Sequence, residues 1–293
     1  MRALAARNPQ AYGLLITGLG VLVFVPDVLV LRLVGGDLIA VAVFRGLLAG
    51  TVSLAALWLI GGRFPSFAVL ATLPGAIVVL MQGFGLVAFC AAVQGTSAAN
   101  ALLMTATAPF IAAVLSWALL GERIGRTTLV AIALAFAGVL VVAAGGLGGG
   151  RLWGDLMALA NALALACFYV ALRKAGRQDM FPALIAGYFL GAALAVPLAD
   201  FSPMEGRQIL WLIVSGAVIL PLAVGLLSLG PRYLTAPEVS MMTLLEIILG
   251  PLLVWAVIGE DPGRASLVGG AMIVAAVLGH ALWALRSPEA EAA

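Results

Sequence analysis

The sequence is poor in charge. Of its 293 residues only 10% are Asp, Glu, Lys or Arg, whereas 64% are hydrophobic. A soluble domain carries roughly 25% charged residues, and no soluble fold has enough interior to hide this much apolar surface. The composition therefore indicates a chain that folds in a lipid bilayer. The net charge of +2 is too small to indicate a nucleic-acid partner.

Metal-binding and catalytic side chains are equally scarce. One histidine and two cysteines, Cys90 and Cys167, are too few for a convincing metal site. Both cysteines lie inside apolar runs, where a thiol behaves as a small hydrophobe. The chain also has no Gly-x-Ser-x-Gly, no His-Glu-x-x-His and no Walker-type phosphate loop. We therefore expect no metal, no cofactor and no enzymatic activity, including ATP hydrolysis.

Long apolar runs dominate what is present. A membrane-spanning helix needs about 20 mainly apolar residues. Ten runs meet this requirement, and short segments rich in glycine and proline connect them. The predicted spans are 11–32, 38–60, 67–91, 97–120, 127–145, 152–173, 181–199, 207–230, 235–258 and 266–285. The sequence thus predicts an all-α membrane protein with ten transmembrane helices.

The second half of the chain repeats the first at an ungapped offset of 138 residues. Matches of tryptophan, glycine and charged residues are difficult to obtain by chance in so apolar a chain. The matching pairs are Trp117 and Trp255, Gly121 and Gly259, Glu122 and Glu260, Gly125 and Gly263, and Arg126 and Arg264. We predict two five-helix repeats, residues 1–147 and 148–293, joined by a glycine run at 145–150 and forming one integrated domain.

Loop charges predict how the chain is oriented. With ten spans, ten Lys and Arg residues fall on one side of the membrane and four on the other. Cytoplasmic loops carry the excess of positive charge, so both termini are expected in the cytoplasm. Because five helices per repeat is an odd number, the two repeats have opposite topology. Such inverted repeats can rock around a site at their interface, which is the usual basis of alternating access.

Several of these segments resemble one known family. They are Phe44-Arg45, Thr107-Ala108-Pro109-Phe110 continuing to Gly121-Glu122-Arg123, Gly138, Trp153-Gly154-Asp155-Leu156, and Leu245-Glu246 followed by Gly259-Glu260. The pattern is similar to that of the drug/metabolite transporter superfamily, EamA type, over essentially the whole chain. It departs from the usual pattern at Pro26-Asp27, which interrupts the first span, and at Pro251, which lies a few residues late.

The resemblance implies a function. Small bacterial members of the superfamily include amino-acid exporters of the YddG type. The resemblance therefore implies a secondary transporter in the bacterial inner membrane that exports aromatic or other apolar amino acids. Export of other metabolites or of drug-like cations is the alternative, and a channel or lipid scramblase is a more distant one. The expected partners are the small solute and the lipid bilayer. One chain holds a complete repeat pair, so a monomer is expected to suffice.

Three charged residues lie well inside predicted spans: Asp27, Arg45 and Glu246. Each costs at least about 2.5–3.5 kcal/mol to insert and therefore needs a reason. Asp27 and Arg45 fall at similar depth, either as a structural ion pair or facing a substrate cavity. Glu246 is the proton-coupling candidate. It could also contact a substrate amine, pair with Arg45, or be held by Thr243 without a role in transport.

The uncharged cavity candidates combine amides, hydroxyls, aromatic rings and one thioether, a mixture that suits an amphipathic solute. They are Gln82, Asn100, Met104, Thr107, Asn161, Phe168 and Tyr169. The alternative is interhelical hydrogen bonding, which contributes on average under about 1 kcal/mol per bond in membranes.

Four further polar residues are predicted to be structural. Glu122 and Glu260 are expected to tie their loops to Arg123, Arg126 or Arg264. Glu238 follows Pro237 and is expected to be a favourable charge at a helix N-terminus. His280 is expected at the membrane interface.

Overall fold

The computed structural model describes residues 8–62, 64–96, 98–122, 124–146, 152–259 and 263–286. Within these ranges the regular structure is entirely helical. Fourteen α-helices follow one another. They are α1 (Pro9–Phe24), α2 (Pro26–Val34), α3 (Leu38–Gly61), α4 (Leu73–Gly95), α5 (Ala98–Thr105), α6 (Ala108–Leu120), α7 (Arg126–Gly146), α8 (Leu152–Ala175), α9 (Phe181–Ala195), α10 (Gly206–Ile213), α11 (Leu220–Leu229), α12 (Ala236–Thr243), α13 (Glu246–Ile258) and α14 (Gly263–Arg286).

Seven helical segments in the described ranges are long and apolar enough to cross a membrane, so the protein is an all-helical, multi-pass membrane protein. They are Pro9–Val34, Leu38–Gly61, Leu73–Gly95, Leu152–Ala175, Phe181–Leu198, Gly206–Arg232 and Ala236–Val257. Three shorter apolar helices, Ala108–Leu120, Arg126–Val141 and Leu267–Trp283, coincide with the other predicted spans. Ten crossings therefore remain a prediction.

The third predicted span begins later than expected. Residues Phe67–Ala71 form a separate 3₁₀ turn, and α4 starts only at Leu73. The Thr72 Oγ1 accepts a hydrogen bond from the Gly75 N–H at 3.1 Å and thereby caps the helix, while Pro74 occupies its first turn. The predicted start at residue 67 was wrong because hydropathy alone does not register this cap.

Two spans are interrupted at repeat-related positions. In the first repeat the helix breaks at residues 106–107, between α5 and α6, and in the second at 244–245, between α12 and α13. An offset of 138 residues carries the bounds of α5 onto those of α12, and those of α6 onto those of α13. Gly121 and Gly259, which end α6 and α13, both take left-handed backbone with φ of +68° and +81°. The sequence repeat is thus also a repeat of structure.

Proline explains one of these breaks. Pro109 lies in the first turn of α6, and its ring would clash with the carbonyl of Thr105 in a continuous helix. Pro26 interrupts the first span in the same way, between α1 and α2. The second-repeat counterpart of Pro109 is Ile247, so the break at residues 244–245 has no proline to cause it.

The helix ends gather at two ends of the molecule. The Asp37 end contains Asp37, at the start of α3, and Gln94, whose Oε1 accepts a hydrogen bond from the Leu38 N–H. Helix α8 begins at this end, where Gly154 lies against Gly95. Helix α8 then runs about 30 Å to the opposite end, here called the Arg173 end after the arginine in its last turn. A proposed joint at residues 145–150, and with it the boundary between 147 and 148, falls mostly outside the described residues.

Candidate functional site

A cavity of about 140 Å³ lies among the helices near the middle of the molecule. Its wall is mainly apolar and includes Phe24, Phe89, Leu102 and Phe168. Its polar and charged lining residues are Arg45, Gln82, Thr105, Asn161, Tyr169, Thr243 and Glu246. A few polar groups set in a concave apolar wall are typical of a small-molecule site.

Both helix breaks reach this central cavity. Thr105 and Ala106 line it from the first break, and Thr243, Leu244 and Glu246 line it from the second. Interrupted helices present backbone groups and a half-helix N-terminus in the middle of a membrane span, which is where secondary transporters place their substrate sites. Glu246 is the first residue of the half-helix α13.

Arg45 and Asp27 form an ion pair in the wall of the cavity. Arg45 Nη2 donates to Asp27 Oδ2 at 2.6 Å, and the side chains are 1% and 0% exposed. Ser215 Oγ donates to the second Asp27 oxygen at 2.8 Å, so the carboxylate is held from two sides. The predicted pairing of Asp27 with Arg45 is confirmed. Arg45 lines the cavity, and Asp27 lies behind it.

Part of the Arg45 guanidinium has no acceptor. The Cys90 thiol lies beside it. Nε and Nη1 are buried and make no hydrogen bond to any described residue. A guanidinium has five N–H donors in a fixed plane, so Asp27 occupies one edge and leaves other donors for an anion. The pair therefore orients Arg45 as well as neutralising it.

Ser215 reaches Asp27 because its helix is locally wide. Residues Val214–Ile219 form a π-helical turn, in which the Leu220 N–H bonds the Ser215 carbonyl five residues back. Pro221 follows and has no backbone N–H, so the regular pattern of helical hydrogen bonds cannot continue at this point. Single π-turns occur often at functional sites. Sequence analysis missed Ser215, since a π-turn has no simple sequence signal.

Glu246 is buried without a partner for one oxygen. Its residue is 8% exposed, and Oε1 has no hydrogen-bond partner among the described residues. Thr243 Oγ1 donates instead to the Ser240 carbonyl of its own helix, at 2.7 Å. Arg45 is held by Asp27. The predictions that Thr243 or Arg45 is the partner of Glu246 were therefore wrong. The carboxylate oxygen without a partner belongs to a residue that lines the central cavity.

Four of the uncharged candidates line the cavity: Gln82, Asn161, Phe168 and Tyr169. Asn161 Nδ2 donates to Thr105 Oγ1 at 3.4 Å, across two helices. The rings of Phe168 and Tyr169 meet edge to face with centroids 5.4 Å apart. These residues give the wall amide, hydroxyl and aromatic character.

The remaining candidates are placed elsewhere. Thr107 Oγ1 donates to the Met104 carbonyl at 2.7 Å, within the break itself. The Met104 side chain packs on a small cluster containing Ala101 and Ala158, away from the cavity wall. The side chain of Asn100 lies outside the described part of the structure. Phe24 and Phe89 line the cavity but were not predicted, because helices that are apolar all round give no amphipathic period.

Two ionic contacts at the Arg173 end correct earlier expectations. Glu122 pairs with Arg173 of α8 at 2.7 Å rather than with Arg126, whereas Arg123 lies outside the described residues. His280 is buried at 6% exposure, and its Nε2 lies 3.2 Å from Glu238 Oε1, so it packs against another helix instead of lying exposed at the membrane interface. Glu238 forms a capping box with Thr235 at the start of α12, which confirms the predicted N-terminal position. Glu260 lies outside the described residues.

The described residues contain no group of three or more His, Cys, Asp or Glu placed to hold a metal ion. The polar groups of the central cavity are therefore an arginine, a carboxylate, amides and hydroxyls. Such a set can bind a charged organic solute through ionic contacts and hydrogen bonds.

Comparison with known proteins agrees with this architecture. A sequence model of the EamA-like transporter family matches residues 11–144 and, a second time, residues 152–281. The chain belongs to the EamA-like transporter family, within the drug/metabolite transporter superfamily. It is accordingly a membrane transporter of small solutes.

A relative and a solved structure are also similar to the chain. An uncharacterized transporter of Archaeoglobus fulgidus is 32% identical over 192 residues, which cover 65% of this chain and 69% of the relative. A solved structure titled only "Crystal structure of protein" superposes with a TM-score of 0.78 at 21% identity. It covers 94% of this chain and 100% of its own, and at this identity it is similar in fold alone.

Proposed function

We propose that the protein exports apolar and aromatic amino acids across a bacterial inner membrane by alternating access. One observation supports this proposal most directly: Arg45 and Glu246 both line one mainly apolar cavity, and each has a buried polar atom with no hydrogen-bond partner among the described residues. A free amino acid carries one carboxylate, one ammonium and an apolar side chain. Arg45 would bind the carboxylate, Glu246 the ammonium, and the aromatic wall the side chain.

The size of the cavity limits what it can enclose. An engineered cavity of about 150 Å³ is known to accept one benzene molecule. The central cavity, at about 140 Å³, is of that size. It accommodates an aliphatic or single-ring solute only tightly, so larger amino acids require the helices around it to move apart. That requirement fits a carrier better than an open channel.

Alternating access would use two inverted five-helix repeats. The repeat-related breaks and the two family matches support a division into repeats. Ten crossings with both termini in the cytoplasm would make the Arg173 end cytoplasmic, because cationic loops favour that side. Pseudo-symmetric bundles could then expose the central cavity to one end and then to the other.

Counterflow tests this proposal. Purified protein is placed in liposomes preloaded with one unlabelled amino acid, and entry of the same labelled amino acid is followed. Saturable uptake that a few apolar amino acids stimulate is the expected result. If no amino acid stimulates uptake by folded protein, the amino-acid assignment is wrong. Uptake that never saturates would instead indicate a channel or scramblase.

Drug-like cations are the second candidate, because the free carboxylate oxygen of Glu246 could bind an ammonium group alone. Amines that lack the carboxylate of the best amino acid distinguish the two. If Arg45 binds a carboxylate, the amine should compete at least about tenfold less well, since a hydrogen bond to a charged group is worth about 1.5–3 kcal/mol. Equal competition by the amine would favour a cation exporter.

A further inference from the structure

A second cavity, outside the proposed transport pathway, opens between α7 and α14. It encloses about 340 Å³ near the Arg173 end. Arg126 and Thr127 line it at the start of α7, and His280 and Trp283 line it near the end of α14. This α7–α14 groove, so named here, is defined by these four residues together with Leu134 and Gly279.

The groove is polar at one end and apolar along its length. On α7, Arg126, Val130 and Leu134 are spaced four residues apart and so share one helix face over about 12 Å. On the antiparallel α14, Ala275 and Gly279 form the opposite wall, and their small side chains leave the space open. A Cβ atom built on Gly279 meets nothing within 4 Å.

The open side of the groove faces the surface that a bilayer would cover. Val130 is 58% exposed, Leu134 52% and Trp283 41%. A soluble metabolite would gain little from an apolar strip of this kind that is open to lipid. An acyl chain lying along Val130 and Leu134 would cover it.

Arg126 and His280 lie at the polar end of the groove. Arg126 makes no ion pair within the described ranges. His280 is 6% exposed, and Glu238 faces its Nε2, whereas its Nδ1 is buried and has no hydrogen-bond partner. Arg126 gives the lining of the groove a positive charge, and the Glu238 carboxylate, which contacts His280 and Thr235, is not among the lining residues. A positive mouth next to an apolar strip is complementary to an anionic amphiphile.

We propose that the α7–α14 groove binds one acidic phospholipid, with the phosphate on Arg126, a head-group atom at His280 Nδ1 and an acyl chain along Val130 and Leu134. Glu238, which contacts His280, begins the helix that leads to the break beside Glu246. A bound lipid that contacts His280 would therefore be connected to the central cavity through Glu238 and helix α12.

Native mass spectrometry tests the site. The detergent-purified protein is equilibrated with equal amounts of phosphatidylglycerol and phosphatidylcholine of the same chain length, and retained lipids are counted. The wild type should retain one phosphatidylglycerol about fivefold more often than phosphatidylcholine, as about 1 kcal/mol per basic residue implies. Equal retention of the two lipids would overturn the proposal.

Three variants locate the binding. Arg126→Gln should abolish the preference for phosphatidylglycerol, because it removes the exposed cation. Gly279→Leu should reduce retention of both lipids, because its side chain fills the open groove. Arg177→Gln removes another exposed cation from the same end and should behave as the wild type. Unchanged lipid retention in both groove variants would refute the assignment.

Inorganic phosphate separates a lipid site from a phosphate site. If millimolar phosphate displaces the lipid from the wild type but not from Arg126→Gln, the groove recognises the phosphate alone and the lipid proposal is wrong. Persistence of the bound phosphatidylglycerol is the expected result. Neither outcome depends on which solute the protein transports.

Discussion

At the scale of single residues, Arg45 has a structural role in its ion pair and a proposed role in substrate binding, and a sequence cannot separate the two. A buried ion pair often contributes little net stability, because desolvating two charges costs nearly as much as their attraction returns. The pair with Asp27 has a second consequence, since it leaves Arg45 Nε and Nη1 without acceptors in the wall of the cavity. Stability and substrate recognition should therefore respond differently to substitution.

Paired substitutions separate these roles. Arg45→Gln leaves Asp27 buried without its cation and should lower the free energy of unfolding by about 3–5 kcal/mol. Adding Asp27→Asn removes that unpaired charge and should restore most of the stability. Thermal unfolding in detergent measures the change in stability, and counterflow measures the change in substrate recognition. Recovery of transport in the stable double variant would exclude Arg45 as a substrate contact.

Glu246 provides the second residue-scale prediction. Glu246→Gln keeps the shape of the side chain and removes its charge and its capacity to exchange a proton. Counterflow of zwitterionic amino acids should fall at least about tenfold, as loss of a charged hydrogen bond predicts. Any pH dependence of transport should disappear.

The control for Glu246 is Asp200→Asn, which removes an exposed carboxylate at the Asp37 end. It should leave both the rate and its pH dependence unchanged. Full transport with the original pH dependence in Glu246→Gln would remove Glu246 from the mechanism.

At the scale of elements, irregular helices build the central cavity. Each repeat contributes one broken span, and the π-turn at Val214–Ile219 contributes Ser215 to Asp27. The π-turn also packs closely on α3, because a Cβ on Gly216 would lie 3.1 Å from the Arg45 Cα and 3.0 Å from the Leu48 Cβ. The position of Arg45 thus depends on a glycine in another helix.

A pair of glycine substitutions tests this packing. Gly216→Ala should push the π-turn away from α3 and destabilise the protein by about 1–3 kcal/mol, with reduced transport. Gly225→Ala lies in the same span, where its Cβ would make an ordinary contact with Phe181 at 3.5 Å. That variant should be neutral or slightly stabilising, since alanine favours a helix over glycine. Equal unfolding midpoints for the two variants would contradict the role given to Gly216.

At the scale of the whole molecule, contacts join the two halves of the chain at both ends. At the Arg173 end, Glu122 pairs with Arg173 at 2.7 Å. At the Asp37 end, the Asp200 N–H donates to Asp37 Oδ2 at 2.7 Å, and Gln208 Nε2 donates to the Val34 carbonyl at 2.8 Å. A rocking motion of the two halves would have to break one set of contacts and keep the other.

Charge reversal tests the contact at the Arg173 end. The pair is partly exposed, so its loss is worth at most about 1 kcal/mol and should alter the counterflow rate by a few-fold without unfolding the protein. Glu122→Arg and Arg173→Glu should each change the rate, and the double variant should return it toward the wild-type value. A double variant no better than either single variant would show that the ion pair does not affect transport.

The Asp37 end should lose stability in acid. Although burial by itself would raise the pKa of Asp37, hydrogen bonds from the backbone N–H groups of Asp200, Ile39 and Ala40, and one from the Gln94 side chain, hold that pKa below its ordinary value of 3.8. The ionised carboxylate is therefore the stabilising form. Its contribution is complete above pH 3.8 and is lost as the pH falls through the lowered pKa.

Asp37→Ala measures that contribution. At neutral pH it should cost about 0.5–2 kcal/mol of stability, the usual value for an N-cap residue. The difference from the wild type should shrink as the pH falls below 3.8 and through the lowered pKa of Asp37, because the wild-type carboxylate then becomes protonated. Asp200→Ala keeps the backbone donor to Asp37 and serves as control. If the difference in stability between the wild type and Asp37→Ala stays constant down to pH 2, the ionised carboxylate is not the source of the stabilisation.

The sequence alone determined the membrane environment and the internal repeat, and it predicted the interruption at Pro26. The break before Pro109 also has a local cause, although the span 97–120 was predicted to be continuous. Each rests on a local or compositional cause: apolar length, the 138-residue match, and the proline rings of Pro26 and Pro109. Pairing of Asp27 with Arg45 could also be predicted, because buried charges in a membrane need a partner at the same depth.

Tertiary structure decided the rest. The break at residues 244–245 has no proline, and Glu122 pairs with Arg173, which lies 51 residues away along the chain. His280 is buried against Glu238 across 42 residues. Among the uncharged candidates, the lining of the cavity includes Gln82 and Asn161 but not Met104. Helices apolar on every side carry no amphipathic period, so only their packing determines which face meets the cavity and which meets lipid.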